Sequence, residues 1–386
     1  MQSSKLDTIE HNQRLTSRTS MHSLGVLCLC AMISLCSCAL SADRGAPSQQ
    51  QNSSPAQSAA PQKPAIKKAS VDPNKFALVI AGVGGEDAYT KKFTGQATRL
   101  YEILTNQLGF SEKNVILLTE TVLSAGPEDG ARESDVVPSK RATAEEVRKA
   151  FATFKSTANA ESLVLVVLIG HGTVDNQVAK FNLVGPDLSA KDYSQLLGTL
   201  PNKRTIFVDC SSSSGDFVKP LSAQNRIVIT ATRSGNEQNA TVFADHFIAA
   251  FTDNAADADK NGRVSLLEAF NYATKLTADW YKEKNRLATE HALIDDNGDG
   301  TGHEEAGNGD GNLAKIIYLD SKTIEEAAGD AELERLIKDR QRLEEEVEKL
   351  KARKSEMKPE EYEAELEKVL VDLAKVNQQI KGKQKN

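Results

Sequence analysis

Two groups of residues whose chemistry suits hydrolysis follow apolar runs that predict buried strands. His171 lies between two glycines directly after the apolar residues 163–169, and the run 210–215 contains one cysteine, four serines and a glycine after another such strand. Glycines on both sides let the backbone turn sharply and expose an imidazole for proton transfer, and a neighbouring thiol or hydroxyl can act as the nucleophile. The pattern predicts catalysis by His171 with either Ser212 or Cys210.

The acidic segment 257–268 has the spacing of an EF-hand calcium loop. It has oxygen-bearing side chains at positions one, three, five and nine, a backbone carbonyl at position seven, Gly262 at the sharp bend and Glu268 as the closing carboxylate. The alternative is an acidic turn that caps the next helix, predicted over 266–276, without any metal. The predicted calcium ligands are Asp257, Asp259, Asn261, Arg263, Ser265 and Glu268.

A second acidic segment, 295–305, begins with the same spacing but ends differently. Asp295, Asn297 and Asp299 occupy positions one, three and five, whereas position twelve is an alanine. Glu304 or Glu305 would have to supply the missing carboxylate. We therefore expect an acidic, glycine-rich loop that binds calcium weakly or from two sides.

Residues 75–320, which include both acidic segments, alternate apolar runs with amphipathic stretches. Such alternation indicates an α/β fold, a three-layer sandwich with a mostly parallel sheet covered by helices on both faces. Functional groups in these sheets gather in the loops at the carboxyl ends of the strands, where His171 and the serine run fall. Strands are predicted at 76–81, 115–118, 163–169, 205–208 and 226–231, and helices at 98–108, 143–154 and 242–251.

Four short motifs follow one another between about residue 75 and residue 251. They are residues 76–82, Gly170-His171-Gly172, the serine run that closes in Ser214-Gly215, and residues 227–232. In order and spacing these motifs resemble the legumain branch of the caspase-like cysteine peptidases. The resemblance implies the caspase-like fold, a nucleophile within a Glu-Ala-Cys-x-Ser-Gly segment, and a histidine that assists it. It also implies an oxyanion hole near the nucleophile, with Gly172 and Gly215 as the turn residues.

The sequence departs from this family pattern at the nucleophile itself. Aligned on Ser214-Gly215, the cysteine position of the family holds Ser212, which keeps the turn length; aligned on the thiol, the nucleophile is Cys210. A serine hydroxyl is far less acidic than a thiol, so His171 alone would activate it poorly. Two functions are therefore predicted: a peptidase acting on peptide or protein substrates, or an inactive relative that binds calcium and partners in the cell envelope.

Residues 321–386 have a different composition, dominated by Glu, Lys, Arg and Leu. Apolar residues recur every three or four positions from Leu333 to Leu350, and again from Tyr362 to Ile380 beyond Pro359. A proline breaks a helix or begins a new one. The pattern predicts an α-helical hairpin or a coiled coil over residues 332–381, which would serve self-association or contact with an envelope partner.

The amino-terminal residues indicate export. Two arginines precede the apolar run 24–40, which is too short to span a bilayer and is followed by polar sequence, so residues 1–42 are predicted to be an export signal. Residues 35–38 resemble a lipobox that would lipidate Cys38; ordinary signal cleavage would instead give a soluble periplasmic protein. Residues 43–74, rich in Ser, Gln, Pro and Ala, are predicted to be a disordered linker. We expect a protein of the periplasm or outer envelope that meets the membrane only through its lipid.

Charge and motif spacing argue against other classes of partner. The formal net charge of -7 does not suit nucleic-acid binding, which needs clustered Lys and Arg. The glycine turn 82–85 lacks the spacing of a dinucleotide fingerprint and has no phosphate-loop lysine, so nucleotide binding is not expected. Asp209, Asp216 and Arg233 lie near the predicted catalytic residues, where they would line a specificity pocket or simply carry surface charge.

Overall fold

The computed structural model describes residues 68–123, 137–202, 204–307, 309–327, 329–354 and 357–383. The predictions for the export signal, for Cys38 and for most of the linker 43–74 concern residues outside these ranges. Within the described ranges, no helix combines the length and the apolar character needed to cross a bilayer.

Within the ranges that the structure describes, ten strands form two sheets. In chain order they are β1 (Lys75–Ala81), β2 (Val115–Thr119), β3 (Lys140–Arg141), β4 (Leu163–Ile169), β5 (Gly172–Asp175), β6 (Val178–Phe181), β7 (Leu188–Ser189), β8 (Arg204–Asp209), β9 (Arg226–Thr230) and β10 (Leu293–Asp295). The central sheet has the order β3-β2-β1-β4-β8-β9-β10, and all its neighbouring pairs are parallel except β9 with β10. The small sheet, β5-β6-β7, is antiparallel and follows β4 directly.

Helices cover both faces of the central sheet. The α-helices of the described residues are α1 (Asp87–Asn106), α2 (Ala144–Thr157), α3 (Ala190–Leu197), α4 (Val218–Leu221), α5 (Phe243–Ala250), α6 (Leu266–Glu283), α7 (Lys322–Glu326), α8 (Ala331–Ala352) and α9 (Pro359–Lys383). One face packs against α1, α5 and α6, and the other against α2, α3 and α4. The prediction of an α/β fold with a mostly parallel, doubly covered sheet is therefore confirmed, and the carboxyl-terminal part is helical.

Strand β4 is apolar throughout, and β1 is apolar after Lys75, because both faces of these strands are buried. Along β1, Ala77 and Val79 enter the core on the α1 side, while Leu78 and Ile80 enter the core on the α2 side. Side chains of a strand alternate between the two faces, so a strand covered by helices on both sides needs apolar residues at every position.

Helix α1 begins at Asp87, eleven positions earlier than the predicted start at residue 98. The prediction was wrong because Gly95 and several polar residues obscure the helical pattern in this stretch. Phe93 and Ala97 nevertheless lie on the buried face and extend the apolar stripe of the helix. A β-carbon at position 95 would meet only open space, so no close contact requires glycine in this helix.

Helices α8 and α9 pack against each other in antiparallel orientation. Near one end of the pair, Leu333 and Leu336 of α8 share a buried cluster with Ile380 of α9; further along, Val347 and Val369 share another. Pro359 is the first residue of α9, a position where its missing N–H has no helical partner to lose. Within the chain, α8 and α9 therefore form a hairpin that buries apolar residues of both stripes.

Candidate functional site

His171 follows β4 at the carboxyl edge of the sheet, and its ring packs against α1. The ring centroid lies 5.0 Å from those of Tyr89 and Phe93, in edge-on contacts. Partial burial lowers the pKa of His171, the backbone of Gly84 opposes this change, and the positive charge of Lys92 adds to it. The imidazole is therefore neutral near pH 7, the form that can accept a proton.

The serine run lies at the same edge but is inaccessible. Ser211, Ser212, Ser213 and Ser214 are each at most 1% exposed. The Ser211 hydroxyl donates to Asp209 Oδ1 at 2.6 Å, and Ser214 Oγ lies 3.1 Å from a threonine hydroxyl on the next loop. These hydroxyls hold the loop together, as buried polar groups generally must.

The structure brings residue 171 and the serine run together through the backbone. The N–H of Gly172 donates to Ser212 Oγ at 3.2 Å, so the ends of β4 and β8 meet at one rim, as the strand order predicts. Among the described residues, no hydrogen bond joins the His171 ring to Ser212, Ser211 or Cys210. The family resemblance assigns the amides of Gly172 and Gly215 to the oxyanion region, and both are already hydrogen-bonded. Gly172 N–H donates to Ser212 Oγ, and Gly215 N–H donates to Thr232 Oγ1 at 3.0 Å.

Cys210 is part of the hydrophobic core between the sheet and α1 and α5. Its backbone N–H donates to Leu168 O at 2.8 Å, which continues the pairing of β8 with β4. Burial raises the pKa of the Cys210 thiol well above its usual value, and the nearby Asp209 adds to this effect. A thiol in these surroundings stays protonated and is a poor nucleophile.

Asp209, Asp216 and Arg233, the three charged residues predicted near the site, differ in burial. Asp209 is wholly buried at the end of β8, which excludes surface charge as its role. Burial raises its pKa to about 7, against the hydrogen bonds from Ser211. Asp216 and Arg233 are both exposed, and Arg233 Nη1 lies 3.5 Å from Glu304 Oε1.

The first acidic loop converges as an EF-hand loop does. Carboxylate oxygens of Asp257, Asp259 and Glu268 all lie within 4.8 Å of one another. The N–H of Gly262 donates to Asp257 Oδ2 at 2.9 Å, and the φ of +82° at this residue is one that glycine adopts readily. Glu268 Oε1 accepts the N–H groups of residues 258 and 259, at 2.9 and 3.2 Å.

The same loop also caps α6. Ser265 Oγ accepts the N–H of Glu268 at 3.2 Å, and Glu268 Oε2 accepts the N–H of Ser265 at 2.9 Å. This reciprocal pair is a capping box, so the helix-capping interpretation describes the end of the loop correctly. The cap involves Oε2, whereas Oε1 faces the amino-terminal half of the loop, so the two interpretations are compatible.

The second acidic loop repeats the backbone of the first. Asp295 Oδ2 accepts the N–H of Gly300 at 3.2 Å, which matches the bond from Gly262 to Asp257. Positive φ values occur at positions four and six of both loops, at +81° and +82° in the second and +61° and +82° in the first. Asn297 Oδ1 accepts the N–H of Asp299 at 2.8 Å. The two loops therefore share one conformation over their first half.

Asp310 in the second loop corresponds to Glu268 in the first, because each carboxylate accepts backbone N–H groups from the start of its loop. Its Oδ1 accepts the N–H groups of Asp296 and Asn297, at 3.0 and 3.3 Å, which are positions two and three of the loop. Asp310 Oδ2 lies 2.5 Å from His303 Nδ1, and burial raises the pKa of this carboxyl. Sequence spacing could not identify Asp310, because it lies beyond the usual twelve positions.

Glu304 and Glu305, which sequence spacing predicted as the closing carboxylate, do not accept these N–H groups. Glu304 and Glu305 are exposed, and Glu304 lies beside Arg233. The carboxylate of Asp296 instead accepts the N–H groups of Gly311 and Ala314, at 2.8 and 2.7 Å, and ties the loop to the following turn.

Comparisons with known proteins place few limits on function. No family model matches the chain, and no curated protein matches it. Among solved structures, the crystal structure of protein GSU0716 from Geobacter sulfurreducens is similar, with 12% identity and a TM-score of 0.37, over 58% of this chain and 93% of that one. A similarity of this size carries no information about chemistry.

Proposed function

We propose that the protein is a calcium-binding, non-catalytic relative of the caspase-like peptidases that serves as an exported interaction module of the cell envelope. The observation that carries the proposal is the convergence of Asp257, Asp259 and Glu268 in a loop with EF-hand hydrogen bonding. Export rests on the amino-terminal sequence, and an interaction role rests on the appended helical hairpin.

The chemistry of the first loop suits calcium. Carboxylates held within 4.8 Å of one another repel, and a divalent cation with oxygen ligands relieves that repulsion. Asn261, Ser265 and the carbonyl of Arg263 complete an all-oxygen donor set at the EF-hand spacing. In the second loop, Asp295, Asn297, Asp299 and Asp310 offer a comparable set.

The rim of the sheet supports the non-catalytic part of the proposal. A nucleophile must meet its substrate, yet Ser212 and Cys210 are each 1% exposed. A general base must also reach the proton that it removes, usually at about 3 Å. The imidazole of His171 packs against two aromatic rings of α1 instead.

Calorimetric titration of the purified protein with calcium tests the proposal. We expect saturable heat that magnesium at the same concentration does not reproduce. Asp259→Asn should weaken calcium affinity by about tenfold or more, because a charged ligand is lost while the cap of α6 is kept. Asp279→Asn is the matched control, since Asp279 is a solvent-facing residue of α6 that pairs with Lys275. Baseline heat in the wild type would contradict calcium binding.

Peptide hydrolysis is a second candidate function, and one observation favours it. The contact of Gly172 N–H with Ser212 Oγ brings the histidine loop and the serine loop to one rim. Serine-reactive fluorophosphonate and thiol-reactive iodoacetamide probes separate the two candidates. We expect no labelling with or without calcium; labelling that is lost in His171→Ala, and also in Ser212→Ala or in Cys210→Ala, would favour hydrolysis instead.

A further inference from the structure

We infer that calcium at the first acidic loop controls how firmly the α8–α9 hairpin is held against the sheet. Residues 317–322, which we call the connector, lead from the second acidic loop into α7 and on to the hairpin. The connector also contacts the first acidic loop. The inference rests on the proposed calcium binding and adds a regulated element to it.

Side chains from the middle of the first loop form polar contacts with the connector. Arg263 Nε lies 3.0 and 3.1 Å from the two carboxylate oxygens of Asp320, and both side chains are largely buried. The same guanidinium lies 3.9 Å from the ring centroid of Tyr318, and Asn261 Nδ2 donates to the Tyr318 hydroxyl at 3.3 Å. Loop positions five and seven are thus both calcium ligands and connector contacts.

Backbone contacts join the same two segments. The N–H of Leu266 donates to Ile317 O at 2.9 Å, and Ser265 forms an isolated antiparallel bridge with Tyr318. Lys322 Nζ donates to the carbonyl of Gly262, at position six of the loop. The connector therefore contacts the first acidic loop along its whole length, from Ile317 to Lys322.

The opposite side of the connector is fixed to the central sheet. Lys75, the first residue of β1, is 6% exposed, and its ammonium donates to Leu319 O at 2.9 Å, Asp320 O at 2.5 Å and Ser321 Oγ at 3.0 Å. The connector is held between this strand and the acidic loop, so the conformation of the loop sets the strength of one of its two attachments.

The hairpin follows the connector closely and contacts the sheet separately. Ala327, just after α7, is buried with Leu333 and Ile337 of α8. Further along α8, Glu345 lies 2.7 Å from Arg204, the first residue of β8, and the Glu345 side chain is 7% exposed. The docking of α8 therefore depends on the ion pair at Arg204 and on the position of the connector.

Calcium should strengthen the connector by ordering the loop. A bound ion draws the carboxylates of Asp257, Asp259 and Glu268 and the carbonyl of Arg263 to one point, which restricts the backbone that carries Asn261 and Arg263. Once that backbone is ordered, fixing the connector costs less conformational entropy. By linkage, loss of the connector contacts must weaken calcium binding by the same factor.

Hydrogen exchange of the whole protein, measured by mass spectrometry with and without calcium, tests this coupling. In the wild type we expect calcium to slow exchange in residues 257–268, in the connector and in α8, by about fivefold or more in the last two. In Asp320→Ala, calcium should still protect the loop but should leave the connector and α8 unchanged, and calcium affinity should fall by about fivefold or more.

Two further variants keep the result interpretable. Arg263→Gln breaks the same ion pair from the loop side while it keeps the ligating carbonyl, so it should reproduce Asp320→Ala even if that variant folds poorly. Asp279→Asn should behave as the wild type does. Binding heat with loop protection but unchanged exchange in the connector and α8 would overturn the coupling and leave calcium binding intact. Absence of both heat and loop protection would refute the proposed function and the coupling together.

Discussion

At the scale of single residues, hydrogen bonds occupy several polar groups at the rim of the sheet. The amide of Gly172 donates to the hydroxyl of Ser212, and the hydroxyl of Ser211 donates to Asp209. The meeting of these residues at one rim could be predicted, because parallel strands end at the same edge. The orientation of the His171 ring could not, since it depends on packing against α1, which is remote in sequence.

Asp209→Asn should change how stability depends on pH. The folded-state pKa of about 7 lies above the ordinary value of 3.8, so the folded state holds the proton more tightly, and the stability contributed by Asp209 falls as pH rises from about 4 to about 7. The variant should gain stability relative to the wild type across this interval, by at most a few kcal/mol at about 1.4 kcal/mol for each pKa unit. Urea unfolding at pH 5 and pH 8 measures the difference.

Asp216→Asn is the control for this prediction, because Asp216 is exposed and lies on the same loop. An Asp209→Asn effect that is equal at both pH values would show that the carboxyl of Asp209 does not titrate between them.

At the scale of elements, the continuous apolar runs predicted the long central strands well. Strand β4 lies where the sequence placed it, because a strand buried on both faces shows no competing pattern. The small sheet β5-β6-β7 was not predicted, since its strands are short and mix apolar with polar residues. Asp310 was missed for a related reason: its role arises from a chain reversal that brings it back to the second loop.

Lys75→Met should loosen the connector. The substitution keeps the apolar stem but leaves the carbonyls of Leu319 and Asp320 without the ammonium that they accept from, and each unsatisfied buried acceptor costs about 1–3 kcal/mol. We expect a lower free energy of unfolding by urea and faster hydrogen exchange in residues 317–322. Lys91→Met, at an exposed position of α1, should change neither. Equal effects of the two substitutions would contradict the anchoring role of Lys75.

Ile380→Ala should destabilise the hairpin. Ile380 is 3% exposed between α8 and α9, and truncation of a buried isoleucine to alanine costs about 2–5 kcal/mol. Leu370→Ala, 45% exposed on the same helix, should be nearly neutral. The Tm of the protein, followed by circular dichroism, should be the same at low and high protein concentration. A concentration-dependent melt would favour the dimeric coiled coil over the hairpin.

At the scale of the whole molecule, the connector links the first acidic loop to the hairpin. Calcium at a hundred times its Kd should stabilise the folded protein by about 2.7 kcal/mol for each site, which raises the Tm by several degrees. Thermal unfolding with calcium and with EDTA measures the shift. Asp259→Asn should remove the contribution of the first loop, whereas Asp279→Asn should keep it. Equal melting temperatures of the wild type in calcium and in EDTA would contradict calcium binding.

Terbium luminescence tests calcium binding at the first loop most directly. Tyr318 touches loop residues Asn261 and Arg263, so tyrosine excitation should sensitise emission from terbium bound there. We expect emission that calcium displaces, that Tyr318→Phe largely abolishes, and that Asp259→Asn weakens. Absence of sensitised emission from the wild type, or emission unchanged by Asp259→Asn, would contradict calcium binding at this loop.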